Sequence, residues 1–313
     1  MTRNYYQYGK KVRNYRRTVI NIALCIVLIS LVIFGIYNFN NFRNNAGPDQ
    51  KEFLRLWSLD SFDEVFKLSA EQLILKPMDY FLLTINGFSA YQLAIAQINN
   101  FNMLSFIDNC IWSLRKALLF KQGIHDSRLH YVLGKAYYYK GASYADLAIK
   151  YLEMARAYGY EEKDIPEYLG LSYIAVRDYR NSVAAFTEAL TYSGTENPSD
   201  TLLLSIAGSY IAMGEDDSAR AYLVRCLETS RDSKMIFSAR LTLGDILSRK
   251  GDFSGAEEQF TKVIQDSGGN ADAHYRLGEL YNSRGETVRA RAEWRRAVQI
   301  DPAHGQARFR LNI

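Results

Sequence analysis

The stretch ADAHYRLGELYNSRGETVRARAEWRRAVQIDPAH, residues 271–304, decides the fold. Two helical runs flank Gly285, where a residue free to take positive φ can end the first helix. Gly278 lies in the first run and Ala290 in the second, and small residues there let two antiparallel helices approach closely. Trp294 supplies the bulk beside that crossing. One such hairpin cannot bury its own apolar face, so the stretch predicts neighbours of the same kind.

The same residue types recur upstream in a fixed register. Counted from the first residue of each unit, slot 8 holds a small residue and slot 24 a large apolar one. The units are 127–162, 163–196, 200–233, 237–270 and 271–304, the first carrying a two-residue insertion. Unit 163–196 departs from the pattern with Arg177 at slot 15, where the other units have glycine, and with Ser182 at slot 20.

With five units in register, residues 127–304 resemble the tetratricopeptide repeat family, in its membrane-anchored bacterial type. The resemblance implies an all-α fold, a right-handed solenoid of helical hairpins. Residues 51–126 are interpreted as degenerate helical pairs, with one helical run over 53–75 and Gly87 where slot 8 would fall. Residues 305–313 are predicted to form a C-terminal capping helix.

The N-terminal residues predict a membrane anchor. Residues 1–17 form a basic tail, 18–37 are twenty residues without a charge, and 38–50 are an Asn-rich linker. A helix of that length spans the hydrocarbon core of a bilayer. Basic residues concentrate before the span, so the positive-inside rule places the tail in the cytoplasm and the repeats in the periplasm.

Charge and residue content exclude several function classes. Residues 1–48 hold seven of the 38 basic residues and no acidic one, so the remaining 31 basic residues meet 34 acidic ones. The repeats are therefore not a basic body suited to nucleic acid. His130 and His274 fall at a packing slot, and Cys110 and Cys226 fall where small residues are needed. No metal-ligand spacing or catalytic motif is present, so we predict no catalytic, cofactor-binding or metal site and no enzyme.

The resemblance places a protein-binding groove on the first helices of the hairpins, at slots 2, 5, 9, 12 and 13. The groove is predicted to run from a basic and aromatic end, through an apolar middle, to a polar and mildly acidic end. Its candidate binding residues are Arg128, Tyr131, Lys135, Tyr138, Tyr139, Leu171, Ile174, Leu204, Ile211, Leu241 and Tyr275. The same slots also carry Asp164, Asp245, Asp272 and Glu279. Tyrosine and arginine are favoured anchors for partner proteins, although Tyr138 and Tyr139 could instead pack on the preceding helical pair.

The leading functional hypothesis is a non-enzymatic scaffold in the cytoplasmic membrane that assembles a multi-subunit envelope complex. The spirochaete periplasmic flagellar motor collar is one specific case, suggested by architecture alone. The alternative is a periplasmic holdase-like chaperone or an adapter near the secretion machinery. A mitochondrial import receptor would need cytosolic repeats, which the charge bias disfavours. Partners are predicted to be other proteins, with membrane contact through residues 18–37 and self-association left open.

Overall fold

The computed structural model describes residues 30–33, 35, 48–97, 100–193 and 198–312. Regular structure in these ranges is helical throughout, which confirms the predicted all-α class. The helices are α1 (Gln50–Ser58), α2 (Phe62–Leu75), α3 (Tyr80–Ile95), α4 (Asn100–Ala117), α5 (Lys121–Ile124), α6 (Ser127–Lys140), α7 (Ala145–Ala157), α8 (Ile165–Ala175), α9 (Tyr179–Ser193), α10 (Asp200–Ala212), α11 (Asp216–Thr229), α12 (Ser233–Arg249), α13 (Phe253–Ser267), α14 (Ala271–Ser283), α15 (Thr287–Ile300) and α16 (Gly305–Leu311).

The predicted tail 1–17 lies outside the described residues. So does the predicted span 18–37, except for residues 30–33 and 35, which are helical. Among the residues that are described, none of the helices combines the length and the apolar character needed to cross a bilayer. Of the linker 38–50, residues 38–47 are likewise outside the description. The Asp49 carboxylate caps α1 by accepting from the amide of Glu52 at 2.9 Å.

The chain is divided into two compact units, and the first ends at Ile85. Its helices α1 and α2 replace the single run predicted over 53–75. The chain turns between them because Asp60 adopts a left-handed conformation with φ of 55°, and Asp enters this region more readily than most residues. Trp57 and Phe62 pack edge-to-face across the turn at 4.9 Å between ring centroids.

The second unit, Asn86–Ile313, consists of stacked helical hairpins. At its crossings the small residue of slot 8 packs against the large side chain of slot 24. A Cβ placed on Gly278 would lie 2.5 Å from Cδ1 and Nε1 of Trp294, and one on Gly170 would lie 2.6 Å from Phe186. Gly87 meets Leu114 in the same way, so the helical pair α3–α4 uses the crossing of the regular units. Only glycine lets these large side chains fill the space between the two axes.

Turns at slot 15 end the first helices with positive φ. The glycines there have φ of 118° (Gly141), 78° (Gly214), 81° (Gly251) and 77° (Gly285). Arg177 takes the same place with φ of 61°, a conformation that costs energy for a residue with a Cβ. The sequence departure therefore did not change the turn.

The other departure of unit 163–196, Ser182, also has a structural explanation. Ser182 is fully buried, and its hydroxyl lies 3.1 Å from that of Ser209 in the next hairpin. The small side chain needed at slot 20 is thus kept, and its polar group finds a partner. The two-residue insertion of unit 127–162 is accommodated by a 3-10 turn, Ala142–Tyr144.

A continuous apolar core runs from Phe186 to Leu311. Its C-terminal end is covered by α16, where Ala307 and Leu311 are buried. His304 caps this helix because its Nδ1 accepts from the amide of Ala307 at 3.1 Å. Two further histidines, His130 and His274, are buried as predicted, and Nδ1 of the latter lies 2.7 Å from the Glu293 carboxylate.

Candidate protein-binding groove

Two cavities lie on the face formed by the first helices of the hairpins. The first, of about 380 Å³, is bounded by α6, α8, the turn that follows α6 and the start of α7. It is lined by Tyr138, Tyr139, Gly141, Ala142, Ala145, Leu171, Ser172 and Ala175. Most of these groups are apolar, so the cavity suits a hydrophobic side chain better than a charged one.

An ion pair joins the two helices that bound this cavity. The Lys135 ammonium is 2.7 Å from Asp164 Oδ2, and the lysine side chain is only 11% exposed. The Tyr131 hydroxyl donates to the same carboxylate at 2.9 Å and accepts from Lys135 at 3.0 Å. Lys135 and Asp164 are contributed by successive units, so the pair fixes α6 against the start of α8.

Tyrosine rings surround the ion pair. The Lys135 ammonium lies 4.5 Å from the ring centroid of Tyr168 and 5.0 Å from that of Tyr131, within the range of cation–π attraction. The hydroxyls of Tyr139 and Tyr168 are 2.9 Å apart, and the Tyr91 ring lies 6.4 Å from that of Tyr139. We call Tyr91, Tyr131, Tyr138, Tyr139 and Tyr168 the tyrosine cluster.

The cluster is neutral at physiological pH. Burial, with a smaller contribution from its hydrogen bond to Tyr168, raises the pKa of Tyr139 to about 12. Burial also raises the pKa of Tyr91, and the pKa of Tyr131 is raised by burial and by its hydrogen bond to Asp164. Each hydroxyl therefore keeps its proton and can donate a hydrogen bond.

Tyr138 differs from Tyr131, Tyr139 and Tyr168 in the state of its hydroxyl. Its ring packs edge-to-face on Tyr139 at 5.3 Å and on Tyr168 at 5.0 Å. Its hydroxyl, however, makes no hydrogen bond among the described residues, whereas those of Tyr131, Tyr139 and Tyr168 are all engaged. A half-buried ring with an available donor at the edge of an apolar cavity suits a partner's backbone carbonyl.

The second cavity, of about 330 Å³, lies at the other end of this face, between α12, α14 and α16. It is lined by Asp245, Ser248, Arg249, Phe260, Asp272, Tyr275, Arg276, Glu279, Leu280 and Gln306. Its charges are already paired: Arg276 with Asp245, Arg249 with Asp216 and Arg310 with Glu279. A ligand would have to compete with these pairs, so we treat the first cavity as the candidate site.

The structure brings four of the predicted groove residues together around the first cavity and the ion pair: Tyr131, Lys135, Tyr138 and Tyr139. Leu171 lines the same cavity, and Tyr275 lines the second one. Ile174, Leu204 and Ile211 are half-buried against the core. Leu241 is only 8% exposed and lies within the core, so it offers little area to a partner. Arg128 is exposed and pairs with Asp126 at 3.0 Å.

Two members of the tyrosine cluster were not among the predicted groove residues. Tyr168 falls at slot 6, outside the groove slots, and reaches the site because it packs between Tyr138 and Tyr139. Tyr91 would fall at slot 12 if the register were continued from Gly87, a signal that the sequence did contain.

Residues 241–304 match the family model of the tetratricopeptide repeat. No curated protein matches the chain. Among solved structures, the chain is similar to the C-terminal part of a TPR repeat-containing protein from Cytophaga hutchinsonii, with TM-score 0.60 and 15% identity over 85% of this chain and 100% of that one. It is also similar to PilW, a type IV pilus biogenesis factor, with TM-score 0.53 and 18% identity over 72% and 98%. For pilF of Pseudomonas aeruginosa the TM-score is 0.50 and the identity 15%, over 72% of this chain and 97% of that one.

These identities show a shared fold and nothing more specific. The slot 8 and slot 24 crossings, the slot 15 turns and the family match point to the same repeat. Residues 241–304 are therefore tetratricopeptide repeats, and the described chain has the fold of tetratricopeptide repeat proteins.

Proposed function

We propose that this protein is a non-enzymatic interaction scaffold that binds a segment of a partner protein between α6 and α8. The observation that carries the proposal is the apolar cavity beside the unengaged Tyr138 hydroxyl. An apolar side chain of the partner fills the cavity, while its backbone accepts a hydrogen bond from Tyr138. Because the Lys135–Asp164 pair already holds the walls in place, little ordering is required on binding.

The proposed location is the cytoplasmic membrane, with residues 18–37 as a single-pass anchor and the repeats in the periplasm. Support comes from the sequence: an uncharged run of membrane-spanning length preceded by basic residues. In that setting the scaffold would hold components of a multi-subunit envelope complex, of which a flagellar motor collar is one specific case.

The groove is tested by cross-linking mass spectrometry on native membranes, comparing wild type with Tyr138→Ala and Tyr138→Phe. The matched control is Tyr192→Ala, which removes an exposed tyrosine from the second helix of a hairpin. We expect one or two reproducible partners, reduced by Tyr138→Ala, partly reduced by Tyr138→Phe and unchanged in the control.

Two outcomes would contradict the proposal. Partners that persist in Tyr138→Ala would show that another surface binds them. A broad set of unrelated envelope proteins, insensitive to the loss of the hydroxyl, would favour the holdase-like chaperone, whose clients need apolar area but no defined hydrogen bond.

A further inference from the structure

The last residues of α2 and the turn that follows expose large apolar side chains close together in the sequence. Ile74 is 80% exposed and Leu75 is 71% exposed, and Met78 follows after Lys76 and Pro77, which are exposed as well. Single exposed apolar residues are ordinary on protein surfaces, but contiguous ones mark a contact surface. We call residues 74–78 the apolar turn.

The chain leading from the predicted anchor arrives beside this turn. The Gln72 side-chain amide donates to the carbonyl oxygen of Pro48 at 2.9 Å. Pro48, Lys76 and Asp79 also line one cavity of this unit. Residues 38–47 separate Pro48 from the end of the predicted span, and fully extended they reach at most about 35 Å. Any membrane that holds residues 18–37 is therefore within reach of the apolar turn.

We infer that the apolar turn inserts Ile74, Leu75 and Met78 into the interface of the bilayer that holds the anchor. This inference rests on the proposed membrane anchor. Lipid fits the chemistry because these side chains need only an apolar medium, while Lys76 can extend its ammonium to lipid phosphates. The nearby Asp79 carboxylate does not oppose insertion strongly, because it is engaged in capping α3 through the amide of Leu82 at 3.0 Å.

The same hairpin supplies a matched control. Leu59 is 60% exposed and lies at the opposite end, in the turn between α1 and α2. The 14 residues of α2 separate the two turns by about 20 Å. With the α1–α2 hairpin standing on the bilayer at the apolar turn, as the inference requires, Leu59 would remain in water, although both sites are exposed leucines.

The experiment uses the full-length protein reconstituted in liposomes of phosphatidylethanolamine and phosphatidylglycerol. Leu75→Cys and Leu59→Cys are each labelled with an environment-sensitive fluorophore in a Cys25→Ser background. Cys110 and Cys226 are buried and should not react. We expect lipids carrying a spin-label quencher to quench the label at position 75 at least about threefold more than the label at position 59. Adding Ile74→Asp and Met78→Asp should remove that difference.

Equal quenching at positions 75 and 59 would overturn the inference. So would strong quenching at position 75 that survives the two aspartates, since the label alone would then drive insertion. Flotation of the liposomes separates the two proposals. Protein that fails to float contradicts the anchor, and with it the membrane insertion, whereas protein that floats without quenching at position 75 contradicts the inference alone.

Discussion

The glycine at the helix crossing of the last repeat allows a sharp test of the packing. In Gly278→Ala, the new Cβ would lie 2.5 Å from Cδ1 and Nε1 of Trp294 and 3.1 Å from the carbonyl oxygen of Ala290. The indole ring would have to move by about 1 Å to restore ordinary contact distances. It has little room to do so because Trp294 is buried in the core.

Two opposing effects set the size of the change. Overpacking a core typically lowers the free energy of unfolding by about 1–3 kcal/mol. Replacing glycine by alanine inside a helix raises it by about 1 kcal/mol. Since the clash involves a rigid ring and a backbone oxygen, the overpacking cost should lie in the upper part of its range, about 2–3 kcal/mol. After subtraction of the helix gain, we expect a net loss of about 1–2 kcal/mol. Gly208→Ala is the matched control, because its Cβ would meet nothing within 4 Å inside α10. It should stabilise the protein by about 0.5–1 kcal/mol.

Urea denaturation of the full-length protein, followed by circular dichroism, measures both variants. Because repeat proteins can unfold locally, hydrogen exchange of the α14 and α15 amides should be measured alongside the urea denaturation. Faster exchange there in Gly278→Ala, with no change in Gly208→Ala, is the expected pattern. The reasoning is refuted if Gly278→Ala is as stable as wild type, because the crossing would then tolerate a Cβ.

Three further predictions concern the turn and the site. Arg177→Gly should raise the free energy of unfolding by about 0.5–1 kcal/mol in urea denaturation, because it relieves a left-handed conformation; a loss of stability would contradict this. Asp164→Ala should lower it by about 1–3 kcal/mol because the Lys135 ammonium loses its partner, and adding Lys135→Met should recover part of the loss. The pKa of Tyr139 in the folded state is raised to about 12 from an ordinary 10.0, so the folded protein keeps this proton at pH values where the unfolded chain has lost it. Stability should therefore fall as the pH rises from 10 towards 12, and Tyr139→Phe should make that fall less steep.

The sequence predicted the parts of the fold that depend on local steric requirements. A small residue facing a large one at each crossing, and a residue with positive φ at each turn, are needed wherever two helices pack this closely. The break at Asp60 was missed because the apolar residues on both sides suggested one helix, and the turn depends on one residue entering the left-handed region. Arg177 shows the reverse case, since the fold keeps its turn without the expected glycine.

The candidate site was only partly predictable, because it depends on how successive units stack. Lys135 and Asp164 come within 2.7 Å although they belong to different units, and the position of each within its own unit does not reveal the pair. Tyr168 reaches the cluster from slot 6, where its ring packs on those of Tyr138 and Tyr139 in the preceding unit. Leu241 fills a groove slot in the sequence but is buried, so the groove pattern overestimates the exposed surface at that unit.

The chemistry of the tyrosine cluster favours a defined partner over a broad range of clients. A surface that accepts many unfolded chains gains from flexible apolar side chains that can repack. Here the Tyr131 hydroxyl is bonded to the Lys135–Asp164 pair, and the hydroxyls of Tyr139 and Tyr168 are bonded to each other, which holds the rings in one arrangement. The Tyr138 hydroxyl, at the edge of the apolar cavity, is left to a ligand. A rigid wall with a directed hydrogen-bond donor binds a segment of matching shape more tightly than other segments, as a scaffold requires.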